Sequence, residues 1–215
     1  MTKDQMTQEA YSSLLNSIAD ILTENGIKST SMDLIASTLH ISKRTLYEIF
    51  ENKTEMVTQA LSSLHQRMCG EHKKIFETAD NILEAIILSF HKQRDLLSKL
   101  NVDFFRDMDS YFSEVKVHSK KSKQNFIENI VDMLQKGVEQ GYFRDDVNMT
   151  VQCRLMLIQM ESLKRMEEFF PSDITLLDAY DCASIGFLRS ISSPKGMVIL
   201  DDLIRKLYDK TITDK

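Results

Sequence analysis

Residues 42–50 combine side chains that can contact a nucleic acid with an apolar helical face. Ser42 is a suitable N-cap for a helix that starts here. The apolar face, at helical spacing, consists of Leu46, Ile49 and Phe50. The other side carries hydrogen-bonding residues near the helix N-terminus: Lys43, Arg44, Thr45, Tyr47 and Glu48. Because arginine can hold guanine O6 and N7, and lysine and threonine can reach bases or phosphates, the segment predicts a DNA-reading helix.

A second short helix is predicted directly before this segment. Its apolar face at helical spacing consists of Leu34, Ile35 and Leu39. Thr30 or Ser31 can cap its start, and Asp33 lies three residues after Thr30, as a capping box requires. His40 and Ile41 then interrupt the helical period, so that two short helices flank a tight turn. This is the arrangement of a helix-turn-helix, whose second helix enters the major groove of DNA.

These segments resemble the N-terminal domain of the tetracycline-repressor (TetR/AcrR) family. The resemblance rests on residues 29–36 and 41–55, with Ser-Lys-x-Thr-Leu-Tyr-x-x-Phe from Ser42 and Asn-Lys-x-Glu from Asn52, and on a Glu-Asn-Gly turn at residues 24–26. The remaining chain is similar to the family only in its length and helical character. The resemblance implies a DNA-binding transcriptional regulator that forms a homodimer and holds an inducer pocket in a second helical domain.

The predicted DNA contacts divide into base contacts and phosphate contacts. Arg44 is expected at a guanine edge. Tyr47 corresponds to the phosphate-contacting tyrosine of the family motif, and Lys53 with the amides of its helix start would hold another phosphate. The alternative for Lys43 and Arg44, each taken by itself, is a solvated surface charge. The full predicted DNA-binding set is Lys28, Thr30, Ser42, Lys43, Arg44, Thr45, Tyr47 and Lys53.

Two residues depart from the family pattern. His40 stands in the turn where the family usually has glycine, and a left-handed backbone is expected there with a small strain. Glu48 lies on the groove-facing side, where its charge repels phosphate. It would have to accept a hydrogen bond from a cytosine N4 or pair with Arg44, so the base contacts cannot simply be carried over from the family.

Composition predicts an all-α protein. The 215 residues are 42% hydrophobic, and only 6 glycines and 2 prolines interrupt them, which favours long helices. We predict a three-helix helix-turn-helix DNA-binding domain over residues 1–52 and a larger helical regulatory and dimerisation domain over residues 53–215. Besides the two helix-turn-helix helices, helices are predicted over about 7–24, 52–76, 82–90, 96–108, 111–140, 147–170, 171–191 and 197–208.

Charge and motifs narrow the functional classes. The net charge of −5 leaves the chain without a general basic footprint, so DNA binding must rest on local geometry and on a dimer. No apolar run is long enough to span a bilayer, and no targeting segment is recognisable, so a cytoplasmic location without membrane contact is expected. Neither an enzyme signature nor a metal-ligand spacing stands out, and no cofactor is expected. The three cysteines, Cys69, Cys153 and Cys182, are expected to be reduced.

An apolar effector pocket is predicted in the second domain. Its candidate lining residues are Phe104, Phe105, Met108, Phe126, Met156 and Met160. Methionine suits adaptable apolar binding surfaces. The competing interpretation, an ordinary hydrophobic core, stays open, because a methionine or aromatic stripe at helical spacing serves either purpose.

Dimerisation is predicted through the C-terminal helices. The candidate interface residues are Leu177, Tyr180, Phe187, Leu188 and Ile191, which would face a two-fold mate in a four-helix bundle, as in the resembled family. The alternative is that these side chains pack against the last helix of the same chain.

The sequence therefore predicts a repressor that binds a palindromic operator as a homodimer and is released by an unidentified small molecule. A DNA-binding architectural or protein-recruiting dimer without an inducer is the principal alternative, and an enzyme of unrecognised type is a third.

Overall fold

Helices make up the whole regular structure of the described chain. A computed structural model describes residues 6–101, 103–112 and 120–208. The helices are α1 (Gln8–Asn25), α2 (Met32–Thr38), α3 (Lys43–Ile49), α4 (Lys53–Thr78), α5 (Ile82–Leu97), α6 (Phe104–Phe112), α7 (Lys120–Glu139), α8 (Met149–Ser162), α9 (Met166–Phe169), α10 (Leu176–Ile191) and α11 (Pro194–Tyr208). A 3-10 turn over Leu163–Arg165 joins α8 to α9. In these described ranges the only β-type pairing is an isolated bridge between Phe143 and Ser192. The all-α prediction is confirmed.

The helices divide into two compact units. The first contains the described residues up to Glu71 and those from Lys99 to Phe112, and thus α1–α3, most of α4, and α6. The second contains His72–Ser98 and the described residues from Lys120 onward. The domain boundary after residue 52 stays a prediction, whereas the compact units show that α6 groups with the helix-turn-helix although it lies some fifty residues beyond that boundary.

Side-chain caps fix where the N-terminal helices begin. Thr7 accepts a hydrogen bond from the Ala10 amide at 3.2 Å and starts α1. The Ser31 hydroxyl accepts from the Leu34 amide at 3.1 Å, so Ser31 rather than Thr30 caps α2. Each cap satisfies an amide that has no partner inside its own helix. Gly26 ends α1 with a φ of 84°, a left-handed conformation that glycine adopts without strain.

Several helices predicted after residue 90 differ from the observed ones in their bounds. The helix predicted over 96–108 has the wrong bounds. Residues 96–97 end α5, which keeps its apolar phase through Leu83, Ile87, Phe90 and Leu97, and residues 104–108 begin α6. Of the long helix predicted over 111–140, residues 111–112 belong to α6 and residues 120–139 form α7, while residues 113–119 lie outside the described chain. The helix predicted from Pro171 begins instead after Thr175, where Thr175 and Asp178 form a reciprocal capping box.

The interior of the first unit is formed by apolar residues of α1–α4. The Phe50 side chain, at the end of α3, is fully buried and lies 6.2 Å from the Tyr11 ring of α1. The largest fully buried side chains in this unit are Ile18, Leu22, Ile27, Ile35, Leu46, Phe50 and Met56. Because α2 and α3 have only seven residues each, this packing, rather than helix propensity, must hold them in place.

The interior of the second unit is shared by α5, α7, α8, α10 and α11. Its buried cluster includes Leu83, Ile87, Leu134, Phe143, Met149, Cys153, Met156, Phe187, Leu188, Ile191 and Leu200. Phe143 follows the end of α7 and folds back so closely that its ring would lie 2.2 Å from a Cβ at Gly137. Glycine is therefore required at position 137 for this chain reversal to pack.

Candidate DNA-binding surface

The recognition helix α3 presents its polar residues to solvent and its apolar residues to the interior. The Arg44 side chain is 89% exposed and the Tyr47 residue 49% exposed. Leu46 is fully buried and Ile49 is 5% exposed. The Ser42 hydroxyl accepts from the Thr45 amide at 3.0 Å and lies 2.7 Å from the Thr45 hydroxyl. Ser42 therefore acts first as a helix cap, and the outward side of α3 is left to Lys43, Arg44 and Tyr47.

Each of the two cations on α3 is held by a neighbouring carboxylate. Lys43 Nζ lies 2.7 Å from Asp33 Oδ1 of α2, and Arg44 Nε donates to Glu48 Oε1 at 2.9 Å. The hydrogen bond to Asp33 raises the pKa of Lys43, and the hydrogen bond from Arg44 lowers the pKa of Glu48. The predicted pairing of Glu48 with Arg44 is thus present. A contact of either cation with phosphate or a base would therefore have to replace its carboxylate partner.

The turn between α2 and α3 has the left-handed residue that was predicted. His40 has a φ of 54°, and it is the only non-glycine residue of the described chain with a positive φ. Its neighbours secure the turn through the backbone, since the Ile41 amide donates to Ala36 O at 3.0 Å and the His40 amide to Ser37 O at 3.2 Å. The helix-turn-helix therefore forms without the glycine that is usual at this position.

Three predicted contact residues near the surface have partners inside the protein. Thr30 is fully buried, and its hydroxyl donates to Gly26 O at 2.6 Å, so this side chain is structural and is withdrawn from the predicted contact set. Lys28 keeps an exposed ammonium group, whose Nζ lies 3.4 Å from Asp107 Oδ1 of α6. Lys53 Nζ donates to Lys28 O at 3.2 Å, and partial burial lowers the pKa of Lys53 against an opposing effect of Asp107.

With this geometry in place, comparison with known proteins places the chain among regulators. The sequence profile described as "Bacterial regulatory proteins, tetR family" matches residues 14–60, which contain the whole helix-turn-helix. The transcriptional repressor KstR2 of Mycolicibacterium smegmatis is 26% identical over 151 residues, covering 66% of this chain and 72% of that protein. The chain has a TetR-family DNA-binding domain. The regulator UidR of Escherichia coli is 24% identical over 184 residues, covering 77% of this chain and 91% of UidR.

Solved structures of TetR-family regulators share the fold of this chain. The ketosteroid transcriptional regulator KstR2 of Mycobacterium tuberculosis has a TM-score of 0.52 at 20% identity, over 87% of this chain and 97% of that one. A TetR-family regulator from a Rhodococcus species has a TM-score of 0.60 at 16% identity, over 87% and 100%. These structures show the shared fold, with its N-terminal helix-turn-helix. The profile match and the related regulators KstR2 and UidR identify the chain as a DNA-binding transcriptional regulator.

The predicted effector-pocket residues are divided between the two compact units. Phe104, Phe105 and Met108 belong to α6 of the first unit, where Phe104 is 3% exposed and contacts Phe105 edge-on. Met156 and Met160 belong to α8 of the second unit. The side chain of Phe126 lies outside the described part of the structure. Neither unit by itself gathers the six residues around one cavity.

Most of the predicted dimer residues are buried within their own chain. Leu188 and Ile191 are fully inaccessible, Tyr180 is 4% exposed and Phe187 is 8% exposed, while Leu177 is half-buried. These buried side chains lie on the inner side of α10, where Phe187, Leu188 and Ile191 join the core with Leu200 of α11. The prediction that Leu188 and Ile191 face a two-fold mate is wrong, because a side chain without accessible surface cannot contact a partner.

A different apolar face is exposed on the second unit, formed by the outer sides of α8 and α10. On α8, Val151 and Leu155 are each 49% exposed and Ile158 is 66% exposed. Between the two helices lies a groove of about 370 Å³, whose lining includes Leu155, Gln159, Cys182, Ala183, Gly186 and Ser190. Sequence could have indicated this face, because α8 has two apolar stripes: 149/153/156, which is buried, and 151/155/158, which is exposed.

The described ranges were also compared with the expectations for metal sites, cysteines and membrane-spanning helices. Within residues 6–101, 103–112 and 120–208 no group of three His, Cys, Asp or Glu side chains is placed to hold a metal ion. Cys69 and Cys182 are exposed and Cys153 is buried, and all three are free thiols. No helix in those ranges is long and apolar enough to cross a membrane.

Proposed function

We propose that this TetR-family regulator is a repressor that binds a palindromic operator as a homodimer and is released by a small apolar effector. The observation that carries the proposal is the outward presentation of Lys43, Arg44 and Tyr47 on a capped α3 within a helix-turn-helix. The related KstR2 proteins are named repressors, which supports the direction of regulation. The protein itself contributes geometry and electrostatics, and no covalent step is involved.

Two recognition helices are needed for specific binding. A single α3 of seven residues offers few base contacts, and the chain has a net charge of −5. A two-fold dimer doubles these contacts and places the recognition helices in successive major grooves, roughly 34–36 Å apart. We therefore expect a palindromic site whose half-site spacing matches one turn of the duplex.

The exposed face of α8 and α10 is the proposed dimer interface. It combines Val151, Leu155 and Ile158 with a groove over Ala183 and Gly186, and a Cβ added at Gly186 would contact nothing within 4 Å. Large side chains beside small ones allow two copies of the same face to interlock about a two-fold axis. Adjacent exposed apolar residues of this kind are typical of an interface rather than of an ordinary monomer surface.

An effector would act by preferring one of two dimer geometries. A ligand lowers operator affinity only by its difference in affinity for the DNA-competent state and the other state. The second unit offers adaptable apolar surroundings, because Met133, Met160 and Met197 are packed, partly buried, against its core. Unbranched methionine side chains re-pack around apolar ligands with little strain, which supports an apolar rather than an ionic effector.

The proposed function is tested with DNA chosen by the protein itself. Wild-type protein is used to select duplexes from a random 40-base-pair pool, and the enriched duplex is placed between a promoter and a reporter gene. Repression of the reporter, relieved by an apolar compound that also shifts the thermal unfolding of the pure protein, is expected. Selection of a sequence without two-fold symmetry, or a reporter that is activated, contradicts the proposal.

Repression that no compound relieves would instead favour the architectural or protein-recruiting dimer. In that case the protein would still bind DNA as a dimer but would not respond to a small-molecule effector.

A further inference from the structure

The turn between α1 and α2 is held through both polar backbone atoms of one residue, Lys28. The Lys28 amide donates to Asp107 Oδ2 at 2.8 Å, and the Lys28 carbonyl accepts from Lys53 Nζ at 3.2 Å. These partners lie 79 and 25 residues away in the sequence. Hydrogen bonds between backbone atoms and ionised side chains are stronger than those between neutral groups. The Lys28 peptide is therefore fixed between the start of α4 and α6.

Asp107 is unusual because it is an acidic residue in the interior of a compact unit. It is 4% exposed, whereas aspartate is rarely fully buried without a paired or hydrogen-bonded carboxylate. Its second oxygen lies 3.4 Å from Lys28 Nζ, and its charge also acts on Lys53. All three residues belong to the first unit. The buried carboxylate is thus stabilised by Lys28, which precedes the helix-turn-helix, and by the charge of Lys53, which follows it.

A backbone hydrogen bond also joins the segment before α6 to the end of α1. The Asn101 amide donates to Thr23 O at 2.7 Å, in the last turn of α1, and Asn101 Oδ1 accepts from the Asp103 amide at 3.0 Å. The Asn101 side chain also lies close to Gly26, where an added Cβ would be 3.1 Å from Oδ1. Asn101 and Asp107 therefore contact this part of the chain at two separate places, the end of α1 with Gly26 and the Lys28 amide.

We infer that Asp107 is a positioning residue for DNA binding: by accepting the Lys28 amide it fixes the turn that sets α2 and α3 against α1 and α4. The inference rests on the proposed DNA-binding surface and adds to it a residue from α6, outside the helix-turn-helix. Asp107 touches no DNA in this role. It determines how much of the binding free energy is lost to ordering the turn when the operator is bound.

If Asp107 acts only through its charge, removing its side chain should strengthen DNA binding. If Asp107 positions the turn, the same change should weaken DNA binding. Removing an acidic side chain from a DNA-binding unit strengthens binding if only its charge matters, because less negative charge faces the phosphates. Removing the acceptor of the partly buried Lys28 amide loosens the turn and weakens binding. Asp107→Ala does both, whereas Asp107→Asn removes the charge and retains an oxygen that can accept from Lys28.

The test measures affinity of full-length protein for the selected duplex and for a random-sequence duplex. Asp107→Ala is expected to bind the selected duplex about tenfold more weakly than wild type, since the partly buried Lys28 amide is left without its acceptor. Asp107→Asn is expected to restore binding to the wild-type level or above it. The matched control is Asp103→Ala, which removes the same charge from the start of α6, where the carboxylate pairs with Arg106 and not with Lys28. It should bind no more weakly than wild type.

A second measurement follows the Lys28 amide itself, without DNA, by hydrogen exchange of the full-length protein. Protection of this amide in wild type and in Asp107→Asn, and its loss in Asp107→Ala, supports the inference. An Asp107→Ala variant that binds as tightly as Asp103→Ala overturns it. So does a Lys28 amide that exchanges freely in wild type, a result that stands even if Asp107→Ala does not fold. Failure of wild type to select any duplex would count against the proposed function, while the exchange data would still decide the role of Asp107.

Discussion

Two surfaces of this protein, the outer side of α3 and the outer side of α8 and α10, are exposed for opposite physical reasons. On α3 the cations are already satisfied, since Lys43 is paired with Asp33 and Arg44 with Glu48. On α8 the exposed residues include three large apolar side chains, of which Ile158 is 66% exposed. Leaving the first surface in water costs little, whereas leaving the second in water costs about 25 cal/mol for each Å² of apolar area. The surface of α3 is therefore suited to binding and releasing DNA. The apolar surface of α8 and α10 is suited to a stable protein interface.

The largest expected effect comes from placing charge on the apolar face. Leu155→Glu combined with Ile158→Glu should raise the dimer dissociation constant by at least about a hundredfold, because two buried anchors on each copy are replaced by repelling charges. Sedimentation equilibrium at several concentrations measures this. Operator affinity should fall with it, since only the dimer places two α3 helices on the duplex.

The control for this experiment is Val198→Glu, which changes an exposed apolar residue of α11 (72% exposed) and should leave the dimer intact. Thiol reactivity gives an independent reading, because Cys182 lies in the groove and Cys69 lies outside it on α4. In the wild type at micromolar concentration Cys182 should react more slowly than Cys69, and the double variant should abolish this difference. Equal rates in the wild type would show that the face is open and would place the interface elsewhere.

The next largest effect concerns base reading by α3. Arg44→Ala should relax discrimination at one symmetric pair of operator positions, at a cost of about 1–3 kcal/mol for each lost bidentate contact. Affinities for the selected duplex and for its point-mutated forms measure this. The matched control is Arg144→Ala, which removes an arginine from a similar exposed carboxylate pair in the second unit, with Asp146 at 2.7 Å. Uniform weakening across all duplexes would assign Arg44 to the phosphate backbone.

The two surfaces differ in how far sequence could predict them. Ser42, Lys43, Arg44 and Tyr47 lie within six residues, so a helix cap and a motif were enough to place them on one exposed side. The caps at Ser31 and Thr175 are similarly local, and Thr175 corrected a helix start predicted from Pro171. Helical spacing shows which apolar residues share one side of a helix, but it does not show which other helix or chain packs against that side.

Long-range partners explain what sequence missed. The sequence predicts residues 187, 188 and 191 of α10 at a two-fold interface, and only the fold shows that they pack inward, toward Leu200. The contact between Lys28 and Asp107 spans 79 positions, and no local pattern announces it. Thr30 was missed for a different reason: its partner, Gly26 O, is only four residues away, and it is the burial of the Thr30 side chain that the sequence does not show.

A smaller effect separates the inner side of α10 from its outer face. The buried Tyr180 hydroxyl donates to Phe90 O at 3.1 Å, so Tyr180→Phe should lower the free energy of unfolding by about 1 kcal/mol. The buried Tyr208 hydroxyl has no hydrogen-bond partner within the described chain, and burial raises the pKa of Tyr208 to about 12. Tyr208→Phe should therefore leave stability unchanged or raise it slightly. Urea unfolding of both variants measures the difference.

Neither tyrosine substitution should alter the dimer dissociation constant once both proteins are folded. If Tyr180→Phe keeps its native circular dichroism but no longer forms dimers, the inner side of α10 contributes to the dimer interface. The inner and outer sides of α10 would then not have separate roles. Preserved dimers in both variants would show that the charge substitutions on α8 act on the exposed face and not through unfolding.

The smallest expected effect tests whether the carboxylates on the α3 side restrain DNA binding. Glu48→Gln removes the partner of Arg44, and Asp33→Asn removes the partner of Lys43. Exposed ion pairs are worth about 0–1 kcal/mol, so each substitution should tighten binding to a random-sequence duplex by roughly two- to fivefold. The slope of log K against log salt should steepen by up to about 0.9 if the released cation reaches a phosphate.

The control for these two variants is Asp202→Asn, which breaks an exposed pair with Lys206 (2.6 Å) on α11 and changes the net charge equally. If it tightens binding as much as Glu48→Gln, overall charge explains the effect, and the pairs on α3 do not compete with DNA. If Glu48→Gln weakens the selected duplex but not the random one, Glu48 accepts from a base, as a cytosine N4 would allow. In that case Glu48 helps specify the operator, and α3 reads bases through Glu48 as well as through its cations.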